Sequence, residues 1–200
     1  MVAAEGAPTA GTLALQGLVL VLGGSRSGKS RWAELLAERS GLPVQYLATA
    51  AERPDDPAWC ERLERHRQRR PGHWGCLETG PDLNGTLLQL QDPADPRRRH
   101  LLLIDALGTW LSQHLGDNAS AWRQRQEALL AALRCHRAPV LLVCEEVGLG
   151  VVPATALGGL FRDRMGELQQ RLMAQASGSW LVVAGRAVDL HALGHPVPTR

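Results

Sequence analysis

Apolar residues along the chain fall into short continuous runs, and these runs alternate with longer stretches in which apolar residues recur at helical spacing. The runs predict strands at 18–22, 44–48, 100–105, 139–144 and 180–184, with a weaker candidate at 73–78. Runs of this kind, without regular polar alternation, are typical of parallel strands buried on both faces.

The stretches between the runs predict helices, at 28–39, 55–70, 81–91, 109–115, 120–134 and 156–176. The polar segment 92–99 is predicted as a surface loop. In the last helix we expect one apolar face, formed by Leu157, Leu160, Phe161, Leu168 and Leu172. Alternating strands and helices predict an α/β fold of three layers, in which helices cover both faces of a mainly parallel sheet.

The 200 residues suffice for one domain, predicted at 18–190, with an N-terminal extension at 1–17 and a tail at 191–200. A net charge of +2 gives no reason to expect a nucleic-acid partner. No apolar run approaches the ~20 residues of a membrane span. The extension lacks the basic start of a secretory signal, and the 4 cysteines form no metal-binding or redox spacing. We therefore expect a cytoplasmic protein with reduced thiols.

The first strand leads into a glycine-rich segment that matches the phosphate-loop pattern G-x-x-x-x-G-K-[ST] at every fixed position. In such a loop, backbone N–H groups surround a phosphate, and the following helix presents its positive N-terminus to the same anion. The lysine reaches the β- and γ-phosphates, and the hydroxyl of the last residue binds Mg²⁺. The predicted nucleotide-binding residues are Gly23, Gly24, Ser25, Arg26, Ser27, Gly28, Lys29 and Ser30.

Lys29 distinguishes this match from a chance glycine-rich turn. It is the only lysine, so every other positive side chain among the 22 Lys and Arg residues is an arginine. A chain that otherwise uses arginine places a compact ammonium group only here, at the position where a phosphate loop needs one. The motif therefore predicts a P-loop NTPase-like fold that binds a nucleoside triphosphate with Mg²⁺, and Lys29 is a predicted catalytic residue.

Carboxylates end two other predicted strands. In an open parallel sheet, ligands bind beyond the carboxyl ends of the strands. Asp105 ends the run LLLID, a common position for a carboxylate that holds Mg²⁺ in phosphate-loop enzymes. Glu145 and Glu146 follow the run VLLVC, and because neighbouring strand residues point to opposite faces, one of the two should face the cleft. The residues alone leave open which one.

A strongly basic helical segment, RLERHRQRRP, follows the second strand. Arg62, His66 and Arg69 are spaced so that they share one helix face. Arginines beside a histidine disfavour its cationic form, so His66 could act as a neutral nucleophile or base. On physical grounds alone, a solvated basic surface with an incidental histidine is slightly preferred. The other histidines have no comparable setting, and we expect surface or structural roles for them.

Together, these segments resemble the bifunctional adenosylcobinamide kinase/adenosylcobinamide-phosphate guanylyltransferase family of cobalamin synthesis, over about 18–188. The resemblance is specific because several motifs occur in order: GGSRSGKSR, YLATA, RLERHRQRRPGHW, LLIDALGTWLS, EVGLGVVP and FRDRMGELQQRLMAQA.

The resemblance implies two reactions. ATP or GTP first phosphorylates the aminopropanol hydroxyl of adenosylcobinamide, and the product then receives GMP from GTP through a guanylylated histidine, which gives adenosylcobinamide-GDP and pyrophosphate. His66 matches that histidine by position, with Arg62, Arg69 and Arg70 as candidates to stabilise phosphoryl charge. Glu78 completes the predicted nucleotide-binding set. The candidate Mg²⁺ ligands are Ser30, Asp105 and Glu146.

Further implications are a corrinoid substrate and a homo-oligomer, expected to be a trimer. Two alternatives remain at this point: a small-molecule kinase without nucleotidyl transfer, and an ATP-dependent switch protein that acts through a partner. A regulatory GTPase would need the motif N-K-x-D, which a chain with Lys29 as its sole lysine cannot contain.

Overall fold

The computed structural model describes residues 14–50 and 55–198. The first strand is β1, Leu18–Gly23, in which every residue is buried. The remaining strands are β2 (Val44–Ala48), β3 (Gly75–Glu78), β4 (Leu101–Asp105), β5 (Val140–Glu145), β6 (Gly178–Val183) and β7 (Arg186–Asp189).

These seven strands form one sheet in the order β3-β2-β4-β5-β1-β6-β7. All neighbouring pairs are parallel except β6 with β7, which is antiparallel at the edge. Leu20 pairs with Leu142 on one side and Ser179 on the other, so β1 is hydrogen-bonded along both edges. The carboxyl ends of β1, β4 and β5 therefore lie next to one another.

Helices cover both faces of the sheet, as predicted. They are α1 (Lys29–Arg39), α2 (Pro57–Arg69), α3 (Leu83–Gln89), α4 (Leu107–Ser112), α5 (Ala119–Cys135), α6 (Ala156–Met173) and α7 (Leu190–Leu193). Val19 and Val21 of β1 pack in the cluster that includes α1, whereas its alternate leucines pack in the cluster that includes α3 to α6. The strand is apolar throughout because both of its faces are buried.

Polar side chains cap the N-termini of several of these helices. Asp82 accepts a hydrogen bond from Gly85 N at the start of α3, and Asn118 accepts one from Ala121 N at the start of α5. Thr155 does the same for Gly158 N at the start of α6. Each cap satisfies a backbone donor that has no partner within its helix.

The structure corrects the predicted face of the last helix. Leu157 and Leu160 are 58% and 37% exposed, and the buried apolar residues of α6 are Met165, Leu168 and Leu172. The helix is thus amphipathic only beyond its first turns. In addition, the predicted loop 92–99 contains a 3-10 helix at Pro96–Arg99, and neither β7 nor α7 was predicted.

The predicted domain limits are only partly within the described residues. Residues 1–13, most of the predicted extension, lie outside them. Gly17 O accepts a hydrogen bond from Val140 N, so the residue just before β1 already pairs with the sheet. The predicted tail at 191–200 begins inside α7.

Candidate functional site

The predicted phosphate loop, Gly23–Ser30, connects β1 directly to α1. The two glycines at the fixed positions of the motif, Gly23 and Gly28, exclude a side chain for different steric reasons. Gly28 has a φ of +102°, a conformation that side chains disfavour. At Gly23 a Cβ atom would lie 2.5 Å from Ser27 Oγ and 2.6 Å from Val182 O, so the close approach of two segments leaves no room for it.

Lys29 is the first residue of α1, and it is only 6% exposed. Its Nζ donates to Gly24 O at 3.4 Å, so the side chain folds back over the loop. The N-terminus of α1 begins immediately behind the loop and favours an anion there. The turn between β6 and β7, which the sequence did not reveal, packs on the loop because Gly185 N donates to Ser27 O at 3.0 Å.

Of the two carboxylates at the end of β5, Glu145 is the one coupled to Lys29. Its Oε2 accepts a hydrogen bond from Gly108 N at 2.7 Å. Burial raises the pKa of Glu145, the nearby Lys29 charge opposes that rise, and the charge of Asp105 adds to it. Glu145, Lys29 and Asp105 therefore share one electrostatic environment at the carboxyl ends of the strands.

Glu146 lies one residue further along and is engaged differently. Its Oε1 accepts from Gly148 N at 2.6 Å, within the loop that follows β5. Of the two glutamates, Glu145 is therefore the one whose pKa the Lys29 charge affects. Metal binding by Glu146 stays a prediction.

Ser30 and Asp105 offer oxygen ligands of the kind that Mg²⁺ takes. Ser30 lies in the first turn of α1, and Asp105 ends β4, and both are partly exposed. Within the described residues, no group of three or more His, Cys, Asp or Glu side chains could hold a metal ion. Mg²⁺ in phosphate-transfer sites commonly uses one or two carboxylates, substrate phosphates and water, so this sparse set fits the ion.

The end of α2 is joined to α1 by an ion pair. Arg69 Nε and its terminal nitrogen Nη2 donate to the two carboxylate oxygens of Glu34, at 2.7 and 2.6 Å. Burial raises the pKa of Glu34, and the bond and charge of Arg69 oppose that rise. Sequence reasoning did not single out Glu34, because nothing in α1 alone shows that a helix from elsewhere in the chain meets it.

The neighbouring Arg70 and Arg67 contact residues of β2 and β3. The Arg70 guanidinium lies 3.7 Å from the ring centroid of Tyr46, and its Nη1 donates to Cys76 Sγ at 3.1 Å. Arg67 pairs with Glu78 at 2.5 Å, at the end of β3. Glu78 is therefore an ion-pair partner of α2 in this structure.

His66 and Arg62 lie on α2, within the segment Pro57–Arg69. Their side chains are outside the described part of the structure. Among the predicted site residues, the structure therefore brings together the phosphate loop, Asp105 and the arginine-rich end of α2, and it leaves the contacts of His66 and Arg62 as predictions.

Three histidines assigned to surface or structural roles have contacts of the structural kind. His114 and His136 are buried, and each has its Nε2 within hydrogen-bond distance of a backbone carbonyl oxygen, at 3.1 and 3.2 Å. The Nδ1 of His191 lies 2.7 Å from Ser179 Oγ, which joins α7 to β6.

In the part of the chain that the structure describes, no helix has the length and apolar character that crossing a membrane requires.

Comparison with known proteins identifies close relatives. Residues 19–190 match the sequence model of the family described as cobinamide kinase/cobinamide phosphate guanyltransferase. The bifunctional adenosylcobalamin biosynthesis protein CobP of Pseudomonas aeruginosa is 40% identical over 172 residues, which cover 86% of this chain and 95% of that protein. The bifunctional adenosylcobalamin biosynthesis protein CobU of Escherichia coli K12 is 36% identical over 187 residues, or 86% and 99% of the two chains.

Solved structures of distant sequence share the fold. An ATPase from the type III secretion system of pathogenic bacteria superposes with a TM-score of 0.55 at 9% identity, covering 91% of this chain and 59% of that one. A protein of Pyrococcus horikoshii OT3 gives 0.54 at 7% identity, covering 90% and 88%. With the parallel sheet and the phosphate loop, these likenesses confirm the predicted P-loop NTPase-like fold.

Proposed function

The chain belongs to the cobinamide kinase/cobinamide phosphate guanyltransferase family, and from that premise we propose that it catalyses two successive reactions at one cleft. It phosphorylates adenosylcobinamide with ATP or GTP, and it then transfers GMP from GTP to adenosylcobinamide phosphate. The products of the second reaction are adenosylcobinamide-GDP and pyrophosphate. The protein is thus both a kinase and a nucleotidyltransferase.

One observation carries the two-reaction proposal. The arginine-rich end of α2 contacts the helix that follows the phosphate loop, through Arg69 on Glu34 of α1, and the neighbouring Arg70 packs on Tyr46 of β2. A phosphate loop alone accounts for a kinase. A basic helix held beside it, with His66 one turn before Arg69, supports a second phosphoryl chemistry.

In the kinase reaction, the backbone amides of the loop and the Lys29 ammonium hold the triphosphate. The substrate hydroxyl oxygen forms a bond to the γ-phosphorus and releases its proton to the solvent, and the bond from that phosphorus to the β–γ bridging oxygen breaks, so that ADP or GDP leaves. Lys29 opposes the negative charge that develops on the phosphoryl oxygens. Ser30 and Asp105 would hold Mg²⁺, which when bound neutralises phosphate charge.

In the guanylyl transfer, a ring nitrogen of His66 forms a bond to the α-phosphorus of GTP, and pyrophosphate leaves. A phosphate oxygen of adenosylcobinamide phosphate then attacks the same phosphorus, and the bond to His66 breaks. Arg62, Arg69 and Arg70 are the proposed stabilising cations, since each lies on or next to α2. Of these, Arg69 and Arg70 are already oriented by Glu34 and Tyr46.

The family membership also supports proposals about the substrates and the oligomeric state. We infer that the corrinoid substrate and the nucleotides bind at the cleft, and that the protein is a homo-oligomer, expected to be a trimer. We also propose a cytoplasmic location, where ATP and GTP are available as substrates.

Product analysis of single variants tests the assignment of the two reactions. With adenosylcobinamide, GTP and Mg²⁺, the unaltered protein should form adenosylcobinamide-GDP, identified by mass spectrometry. His66→Ala should stop at adenosylcobinamide phosphate, and Lys29→Ala should form neither product while keeping its circular dichroism spectrum.

His73→Ala provides the matched control, because His73 is exposed just beyond the same basic segment. It should form both products. Formation of adenosylcobinamide-GDP by His66→Ala at the rate of the unaltered protein would exclude His66 as the nucleophile. Loss of the folded state in Lys29→Ala would instead indicate a structural role for Lys29.

A further inference from the structure

Tyr46 is a buried residue whose hydroxyl has no part in either proposed reaction. It lies in β2, is 1% exposed, and is the only tyrosine in the chain. Its hydroxyl donates a hydrogen bond to Asp105 Oδ2 at 2.7 Å. The two strands are paired in parallel, with Tyr46 opposite Leu103 and Asp105 opposite Ala48, so the phenol reaches forward along the sheet to the end of β4.

The ring of Tyr46 also supports the end of α2. The Arg70 guanidinium lies over it at 3.7 Å from the centroid, which is a close cation–π contact. Burial raises the pKa of Tyr46 well above its usual range, and the negative charge of Asp105 raises it further, against the charge of Arg70. Tyr46 is thus held between two charged groups, with its ring against the Arg70 guanidinium and its hydroxyl donating to the Asp105 carboxylate.

We propose that Tyr46 is a positioning residue, whose hydroxyl holds the Asp105 carboxylate in the orientation that binds the Mg²⁺ of the nucleotide complex. This inference rests on the proposed role of Asp105 as a metal ligand. Groups that bond to a ligating carboxylate restrict its rotation, and their removal typically weakens metal binding 10- to 100-fold. A purely structural hydrogen bond would change stability and leave metal affinity as it was.

Tyr46→Phe tests the proposal with a minimal change. It keeps the ring beneath Arg70 and removes only the hydroxyl. Mn²⁺ binding, followed by electron paramagnetic resonance on the protein saturated with a non-hydrolysable GTP analogue, should weaken about 10-fold or more. Affinity for the same analogue in the presence of a metal chelator should stay within about twofold of the unaltered protein, because the loop itself is intact.

Thr79→Val is the matched control. Thr79 is also buried, and its hydroxyl donates to Ala48 O at the end of the same strand, at 3.3 Å. This variant loses a buried hydroxyl near β2 without affecting the bond to Asp105, so its Mn²⁺ affinity should equal that of the unaltered protein. Equal weakening in both variants would overturn the proposal, as would unchanged Mn²⁺ affinity in Tyr46→Phe.

Asp105→Asn separates this proposal from the one on which it rests. If Asp105→Asn weakens Mn²⁺ binding and Tyr46→Phe does not, Tyr46 has no positioning role while Asp105 keeps its role as a ligand. If Asp105→Asn also binds Mn²⁺ normally, the ligand role and the positioning role both fail. Nucleotide binding with the chelator, which neither variant should alter, confirms that each protein is folded.

Because Tyr46 is the sole tyrosine, its nuclear magnetic resonance signal does not overlap with that of any other tyrosine. Protein grown with tyrosine labelled at its ζ-carbon should give one nuclear magnetic resonance signal, which reports the hydrogen bond of the phenol. We expect that signal to shift when Mg²⁺ is added to the nucleotide-bound protein, and to stay in place when Mg²⁺ is added to Asp105→Asn. An unmoved signal in the unaltered protein at saturating Mg²⁺ would contradict the proposal.

Discussion

Arg69 and Glu34 form the contact that most directly joins α2 to the phosphate-loop helix, and its removal should be measurable. Arg69→Met keeps most of the aliphatic stem and removes both hydrogen bonds, which measure 2.7 and 2.6 Å. The Glu34 side chain is 10% exposed, so the substitution leaves a buried carboxylate without its cation, whereas the Arg69 side chain is 35% exposed and partly screened by water. Hydrogen bonds to charged groups contribute about 1.5–3 kcal/mol each when buried. With screening, we expect the free energy of unfolding to fall by about 2 kcal/mol in total.

Glu34→Gln should cost less than Arg69→Met. The pKa of Glu34 is raised above its usual value of 4.5. Burial therefore disfavours the charged form of Glu34 more strongly than Arg69 favours that form. A neutral amide keeps an acceptor for Arg69 and removes the buried charge. The expected change is therefore within about 1 kcal/mol, and the double variant should be more stable than Arg69→Met alone.

The effect of Arg69→Met should depend on pH. Without Arg69, the pKa of Glu34 in the folded protein rises further above its unfolded value, so the folded state binds a proton more readily. Stability then decreases as pH rises through the interval between those two pKa values, and it is recovered toward about pH 4.5. Urea unfolding, followed by circular dichroism at neutral and mildly acidic pH, measures this. A loss that is independent of pH, or a Glu34→Gln variant as unstable as Arg69→Met, would show that the buried Glu34 charge does not cause the loss.

Three other substitutions test separate parts of the structure. Gly28→Ala places a side chain at a φ of +102°, and we expect a loss of about 1–2 kcal/mol in urea unfolding together with weaker nucleotide binding by calorimetry; equal affinity would show that the loop tolerates the strain. Arg164→Met removes donors to three backbone carbonyls, His114 O, Leu115 O and Asp117 O, and should cost about 2–3 kcal/mol, whereas Arg162→Met should be near neutral; equal losses would contradict the role of Arg164. Asp95→Asn removes a carboxylate whose pKa the Arg97 hydrogen bond lowers from 3.8 to about 2. The unaltered protein should therefore lose some stability as pH falls through that interval, and the variant should not show this loss. Identical acid unfolding curves for the two proteins would exclude that contribution.

The sequence predicted the parts of the site that are local in the chain. The phosphate loop needs only a strand, two glycines and a helix start in succession, and each is visible within Leu18–Arg39. Asp105 could be placed because it ends a buried strand, and parallel strands bring their carboxyl ends to one edge. The same logic placed Glu145 and Glu146 at that edge.

The contacts of α2 could not be predicted, because they depend on where a basic helix packs in three dimensions. Glu34 and Tyr46 lie on different elements from Arg69 and Arg70, and no spacing along the chain links them. The error in α6 has a similar origin. Leu157 has helical spacing with the core leucines, yet the first turns of the helix are largely solvated. β7 was missed because Arg186–Asp189 is a short edge strand with few apolar residues.

We propose that one cleft performs chemistry at both the γ- and the α-phosphate of a nucleotide, the latter through His66. This proposal is tested most directly by incubating the protein with Mg²⁺ and GTP radioactively labelled at the α-phosphate, and then denaturing it. We predict a covalent label that is labile to acid and stable to base, as a phosphoramidate is. The label should be absent with γ-labelled GTP and absent in His66→Ala. No label on the unaltered protein, or undiminished label on His66→Ala, would contradict the account.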